Sequence, residues 1–305
     1  MAGVITTGNH PKALWPGVKA WWGRTYNEHV VEYTGLFNME SSSQNYEEDV
    51  QVTGFGLAPV KPQAGGVVYD SESQGFTKRY SHVAYALGYI TSYEELKDNL
   101  YEVVGKRRAQ ANAFSQRQTK ETVAAQVYNR CVTAAYTGGD GACLLATDHP
   151  SKAGNWSNML STAADLSEAS LEDICIQIAG ATNDRGLKIA IQPQKLIIHK
   201  QDMFEVTRIL KSLNQSNSAS NDINALRVMN MFPGGIEVNH YLAETGTDAW
   251  FVRTNCPRGM IGYDRDSVPL KRENDFDTMN LKAMSYERYS FGWTDPRGLY
   301  GSAGA

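Results

Sequence analysis

Apolar and polar positions change rhythm several times along the chain, and each change marks a different kind of element. Residues 1 to 45 keep no sustained period: Trp15, Trp21, Trp22, Tyr26, Tyr33 and Phe37 are interrupted by Pro11, Pro16, Gly17, Gly23 and Gly35, leaving room for one short helix near Glu28 to Tyr33. Such a segment cannot bury its own rings. It has to lie against another surface, of this chain or of a neighbouring copy. From Tyr46 to Ile90 the pattern becomes strand-like, with runs at Val50 to Phe55, Val67 to Tyr69 and Phe76 to Ile90, and turns at Gly65-Gly66 and Asp70 to Gly75. The simplest reading is a long twisted β-hairpin, and a two-stranded ribbon is marginal in water without support from other domains or subunits.

A helical period follows. Ser92-Tyr-Glu-Glu95 reads as a capping box, in which the Ser92 hydroxyl accepts from the Glu95 N–H and the Glu95 carboxylate reaches back to the Ser92 N–H. Leu96, Leu100, Val103 and Val104 start an apolar stripe that Ala111, Phe114, Val123, Val127, Cys131 and Ala134 continue. Only Gly105 interrupts it before Gly138 to Gly141, so the spacing predicts one helix of about 45 residues, on the order of 65 Å long. Residues 138 to 169 read as an irregular connection. A second helix starts at Ser170 with Leu171, Ile174, Cys175 and Ile178 on one face, and Gly186 lies beyond its end. Short strands at Lys188 to Ile191, Lys195 to His199, Ile236 to Leu242 and Ala249 to Arg253 alternate with a helix near Met203 to Leu210. Asn214 to Asn224 is a polar loop, Thr278 to Trp293 forms one or two strands, and Gly298 to Ala305 frays. This order is mixed α+β.

Composition narrows the function classes. With 305 residues, 42% hydrophobic and 20% charged, the chain carries its own core and is neither disordered nor a disulfide scaffold. A net charge of −4 is too mild for a dedicated reader of nucleic-acid sequence. Cys131, Cys143, Cys175 and Cys256 form no C-x-x-C pair, which fits reduced thiols and no zinc site. The start, Met1 to His10, lacks the pattern of a secretory signal, and no run approaches the roughly 20 apolar residues of a membrane span.

Catalytic motifs are mostly missing. No phosphate loop, G-x-S-x-G or H-E-x-x-H occurs, Gly54-Phe-Gly56 lacks the rest of a dinucleotide fingerprint, and the six histidines are never i, i+4 partners. No cofactor or metal is expected. The best catalytic candidate is a thiol hydrolase built on Cys143 with Asp148 and His149; the simpler reading is a packed thiol beside a His149-Pro150 turn. Glu47, Glu48 and Asp49 read as a solvated edge rather than a cation site, and Lys106, Arg107 and Arg108 as a solvated helix face. Trp21-Trp22 reads as an interface anchor.

An aromatic arm, a long hairpin, one very long helix and an α+β remainder without a catalytic constellation describe a protein that works through its surfaces. The order of Ala13 to Gly17 and Trp21 to Tyr26, Tyr46 to Gly56, Tyr69 to Gly88 leading into Ile90 to Leu96, then Gly139 to Pro150 and Leu196 to His199, resembles the major capsid protein of tailed bacteriophages, the Hong Kong 97-type fold, and is most similar to the major head subunit of Mu-like phages. The resemblance implies an N-terminal arm (1–45), an extended loop (46–90), a peripheral domain with a spine helix (91–165 and 255–285) and an axial domain (166–254 and 286–305). It implies a virion shell of hexamers and pentamers, assembled in the bacterial host cytoplasm with a separate scaffolding protein. A portal protein at one vertex, double-stranded DNA held without sequence specificity and a possible decoration protein are the further partners; no membrane is involved. Lys61 and Lys78 lie in the loop, but nothing marks an Asn partner, and no crosslink is expected. Trp15, Trp21, Trp22, Phe55, Tyr69, Phe76 and Tyr80 are the expected inter-subunit contacts. The rival of the same fold is a nanocompartment shell, distinguished by an enzyme cargo in place of DNA.

Overall fold

The computed structural model describes residues 31–98, 102–214, 222–242 and 248–304. Two four-stranded sheets, a separate hairpin and one long helix account for most of them.

The first sheet is built on a hairpin of β8 (Met260–Asn274) and β9 (Leu281–Trp293), with register shifts between Asp264 and Asp266 and between Val268 and Lys271. β4 (Val83–Thr91) pairs antiparallel with β9, and β1 (Asn38–Ser41) pairs parallel with β8 on the opposite edge. The strand expected over Phe76 to Ile90 is therefore two strands. β3 (Ser73–Ser81) belongs to the separate hairpin with β2 (Tyr46–Thr53), whereas β4 is part of the sheet. Between them His82 is buried, its ring nitrogens 3.0 Å from Ser290 Oγ and 3.2 Å from Ser42 Oγ, which pins the chain where it changes sheet. The projecting hairpin accordingly ends at Ser81, not at 90.

The long helix is also shorter than its sequence spacing suggests. α1 (Tyr33–Leu36) precedes β1, α2 (Tyr93–Asp98) opens on Ser92, and α3 runs from Glu102 to Asn129. Only half of the capping box forms: Glu95 N–H donates to Ser92 Oγ at 3.3 Å, but the Glu95 carboxylate pairs with Arg108. α3 stops before Cys131-Val132-Thr133, where β-branched side chains lose rotamer freedom against the preceding turn, and successive turns take over to Tyr136. Its sheet-facing side is polar where Ala111 and Phe114 were expected. Asn112 and Gln116 are buried and donate to the carbonyls of Leu87 (2.9 Å) and Ser285 (3.4 Å), which ties the helix to β4 and β9. Further along, Ala124, Ala125 and Tyr128 are fully buried, and Tyr128 packs edge-on against both Phe37 and Phe251.

The second sheet runs β10–β7–β5–β6, formed by Leu299–Ser302, Trp250–Thr254, Pro193–His199 and Ile236–Asn239. β5 and β6 are parallel and are joined through α5 (Met203–Lys211) and α6 (Ala225–Val228). Period-two alternation divides its side chains between two cores. Leu196, Ile198, Trp250, Val252 and Tyr300 face α4 (Glu168–Ala179), α5 and α6, while Ile197, Phe251 and Leu299 face Tyr128, Leu36 and Leu144. Both faces are covered, which is why Leu196-Ile-Ile198 reads as a continuous apolar run. α4 begins at Ser167 rather than Ser170, because the Ser167 and Ser170 hydroxyls cap each other's backbone N–H. The strand expected at Lys188 to Ile191 is irregular chain with one bridge, Thr182 to Lys188. Gly259 and Gly298 hold the two sheets' connections together: a Cβ on Gly259 would stand 2.7 Å from the Gly298 Cα, so neither position tolerates a side chain without backbone movement.

Candidate functional site

Burial changes along the hairpin β2–β3, and its root, middle and tip have different chemistry. At the root, Asp49 and Tyr80 face the body. The Tyr80 ring packs edge-on against Tyr263 at 5.1 Å, and its hydroxyl lies 2.7 Å from Thr294 Oγ1. Thr294 in turn donates to Asp49 Oδ2 at 2.6 Å, and Arg258 reaches Asp49 Oδ1 at 2.5 Å and Glu40 at 3.0 Å. Burial holds the Tyr80 phenol above its ordinary range, so it stays a neutral hydrogen-bonding group. Lys78 donates to the Thr137 carbonyl at 3.0 Å and stands over the Trp293 ring, and burial lowers its pKa.

Along the middle, Gln51 Nε2 donates to Asp184 at 2.6 Å and Lys152 bonds Ser73. Gly139 meets the hairpin backbone so closely that a Cβ would fall 2.8 Å from the Thr77 carbonyl oxygen. At the far end Asp70 accepts from Gly56 N–H (2.7 Å), Ser71 N–H (2.8 Å) and Arg185 Nη1 (2.7 Å), while Arg185 also reaches the Ser71 carbonyl. Those donors, the Gly56 N–H first, lower the Asp70 pKa to about 2.

Beyond that clamp the tip is apolar and bare. Val60 is 95% and Tyr69 90% exposed, and Phe55, Leu57, Val67 and Val68 are exposed with them around an open groove of about 570 Å³. Isolated exposed apolar residues are normal, whereas a contiguous exposed cluster of this kind is not. Phe55 and Tyr69 belong to this tip, and Phe76 stands exposed on the hairpin. Tyr80 corrects the expectation made for it: at 3% exposure it is packed inside its own chain and is not available to a neighbour. Trp15, Trp21 and Trp22 lie outside the described residues.

The root of the N-terminal segment is a second junction. Glu121 of α3, itself buried, accepts from the N–H groups of Glu32 (3.0 Å) and Tyr33 (2.8 Å), which open α1. Glu32 accepts from His240 N–H at 2.8 Å and from its Nδ1 at 2.5 Å. Burial raises the Glu121 pKa and the two backbone donors oppose that.

The thiol constellation does not come together. His149 is fully buried, with Nδ1 2.6 Å from Asp140 Oδ2, Nε2 3.2 Å from Asn158 Oδ1, and its ring stacked on Trp156. Both nitrogens are engaged away from Cys143, whose Sγ donates to the Leu145 carbonyl and whose pKa is raised by burial. Asp140, nine residues before the histidine, takes the place expected of Asp148. Asn158 was missed by sequence reasoning: its Nδ2 donates to the carbonyls of Leu144 (2.7 Å), Pro296 (3.2 Å) and Leu299 (3.0 Å). The acidic run also separates, since Glu48 pairs with Arg79, Glu47 accepts from Ser42, and Asp49 turns to Arg258. Arg108 is paired with Glu95 rather than solvated. Among the described residues no group of three or more His, Cys, Asp or Glu is placed to hold a metal ion, and no helix is long and apolar enough to cross a membrane.

The chain belongs to the phage capsid protein family, whose model matches residues 76–302. Its fold is shared, at identities that speak only to fold, with solved structures from Mycobacterium phage Patience (12% identity, 92% of this chain and 84% of that one, TM-score 0.57) and Microbacterium phage Oxtober96 (8%, 99% and 100%, 0.55). The capsid of a native GTA particle is similar too (9%, 90% of each chain, 0.55). No curated protein matches the sequence. The α+β architecture is the Hong Kong 97-type fold, and the chain is a phage capsid protein, a structural component of the virion capsid.

Proposed function

We propose that this chain builds an icosahedral shell of hexamers and pentamers around a double-stranded DNA genome, with the hairpin tip lying over the adjacent subunit. The exposed apolar tip beyond the Asp70–Arg185 clamp is the observation that carries this reading, because a ribbon bearing Val60 and Tyr69 in water gains only when another copy covers it. Residues 1–45 act as the arm and 46–81 as the extended loop. The first sheet with α3 serves as the peripheral domain, and the second sheet with α4 to α6 as the axial domain. Repeated contacts of modest size suit a closed shell, since each recurs many times and an extended ribbon adds buried area without enlarging the body. Assembly in the host cytoplasm on a separate scaffolding protein, a portal at one vertex, DNA held without sequence reading and an outer decoration protein complete the proposal.

The test replaces residues 54–69 by a short Gly-Ser turn that keeps Asp70 and Arg185. The variant is expected to remain folded by circular dichroism while forming no shells; shells of normal size and yield would overturn the assignment of the tip.

A further inference from the structure

The helical layer of the second sheet carries opposite charge at its two ends. α4 packs on β10, one edge of the sheet, and is tied there through the Ala164 carbonyl, which accepts from Trp250 Nε1 (3.1 Å) and Ser302 Oγ (2.8 Å). α5 and α6 form the crossover between β5 and β6, at the other edge. Three strand spacings of about 4.8 Å keep the two ends roughly 14 Å apart within one chain.

Every charged residue of α4 is acidic: Glu168, Glu172 and Asp173. Glu168 and Glu172 stand four apart, a like-charge spacing that destabilises an isolated helix; partial burial first, and the Glu172 charge second, raise the Glu168 pKa. Ile176, one turn further on, is 70% exposed. The opposite end is basic. Arg208, Lys211 and Arg227 are exposed there with Phe204, itself 68% exposed; Arg208 pairs with Glu205 of the same helix at 3.2 Å, and among the described residues Lys211 and Arg227 pair with no carboxylate. α4 thus carries only acidic charge with a bare Ile176, while α5 and α6, with Glu205 matched by Arg208, keep a net basic charge from Lys211 and Arg227 with a bare Phe204.

We infer that the acidic α4 flank of one copy docks head to tail on the basic α5–α6 flank of the next, so that the contact repeats around a closed ring. Heterologous contacts of this kind generate rings when the rotation closes. Complementary charge sets the register, and Ile176 and Phe204 supply apolar area at its centre. The inference rests on the shell reading above and names the contact by which its rings form.

Two paired reversals test it. Glu172→Lys with Asp173→Lys makes both flanks basic, and Lys211→Glu with Arg227→Glu makes both acidic. Each variant alone is expected to need at least about tenfold more protein to form rings, because every contact then sets like charges together. All four substitutions in one chain restore assembly. An equimolar mixture of the two variants forms rings that alternate, and alternation closes only on even numbers: native mass spectrometry shows six-membered rings with three of each chain and no five-membered rings. Either variant assembling alone at the wild-type concentration, or a folded four-substitution chain that does not assemble, overturns the inference. A second measurement needs no reversed charge. Wild-type rings should weaken with added sodium chloride, and Lys211→Gln with Arg227→Gln should flatten that dependence; an unchanged salt slope contradicts the contact. If the wild-type chain forms no ring or shell under any of these conditions, the shell reading itself fails, which is a different result from indifference to the reversals.

Discussion

Arg258 and Asp49 meet at 2.5 Å across the root of the hairpin, joining β2 to the turn that enters β8. Arg258 holds φ at +58°, a left-handed backbone that costs on the order of 1 kcal/mol for a residue with a Cβ. The ion pairs to Asp49 and Glu40 oppose that cost. Arg258→Ala keeps the backbone penalty and loses both pairs; since Arg258 is half exposed, the loss should be about 1–2 kcal/mol, below the range for a fully buried pair. Arg258→Gly loses the same pairs but relieves the backbone, so it should denature at higher urea than Arg258→Ala. Hydrogen exchange in β2 and β3 should quicken in both, and equal stability of the two variants would show that the left-handed conformation stores nothing.

Tyr80 makes the complementary point about the root. Tyr80→Phe removes only the bond to Thr294 and should cost about 1 kcal/mol. Tyr80→Ala empties a site walled by Tyr263 and Gly292 and should cost about 3–5 kcal/mol by the scale of buried aromatic truncations. Chemical denaturation of the unassembled subunit separates the two.

Cys143 and Asn158 divide structure from chemistry. Asn158→Ala takes a donor from the carbonyls of Leu144 and Leu299 and the acceptor from the Ala146 N–H, while the Pro296 carbonyl keeps the Leu299 N–H, so a loss of at least about 2–3 kcal/mol is expected. Cys143→Ser should leave shell yield unchanged. Burial raises the Cys143 pKa, and pushes Cys131 and Cys175 up to about 12 and about 11. Iodoacetamide at neutral pH should therefore modify the folded chain far more slowly than a small-molecule thiol, with rates that climb as pH rises. Rapid modification at one site would reopen a catalytic role there.

Glu121 links the arm root to pH. Its carboxyl is raised in the fold, so the folded chain holds that proton more tightly than the unfolded chain does, and stability falls as pH rises through the interval between the two values. Glu121→Gln lacks this titration. Wild-type stability relative to the variant should therefore decline from acid toward neutral pH; a difference that grew with pH would mean that the backbone donors at Glu32 and Tyr33 outweigh burial.

Much of this architecture was legible in the sequence where period and burial coincide. Leu171, Ile174, Cys175 and Ile178 mark α4 because a helix over one sheet face needs only one apolar stripe. The exposed Phe55 and Tyr69 were legible as aromatics among turn residues with no core to enter. α3 was harder. Asn112 and Gln116 face the sheet and donate to strand carbonyls there, and a polar residue bonded to a carbonyl looks in sequence like a residue facing water. Tyr80 was misplaced for a similar reason: its pocket is made by Tyr263, Gly292 and Thr294, distant positions that come together only when β3 crosses the first sheet. Asn158 carried no signal, since its partners are mostly backbone groups of distant residues, three carbonyls and the Ala146 N–H, with His149 the one side chain.

Electron microscopy of the purified full-length chain tests the central claim most directly. Closed shells, tubes or ring-shaped capsomers, lost when residues 54–69 are replaced by a short turn, are the expected result. A chain that stays monomeric at high concentration with and without scaffolding protein, or that assembles identically without its hairpin tip, would contradict it.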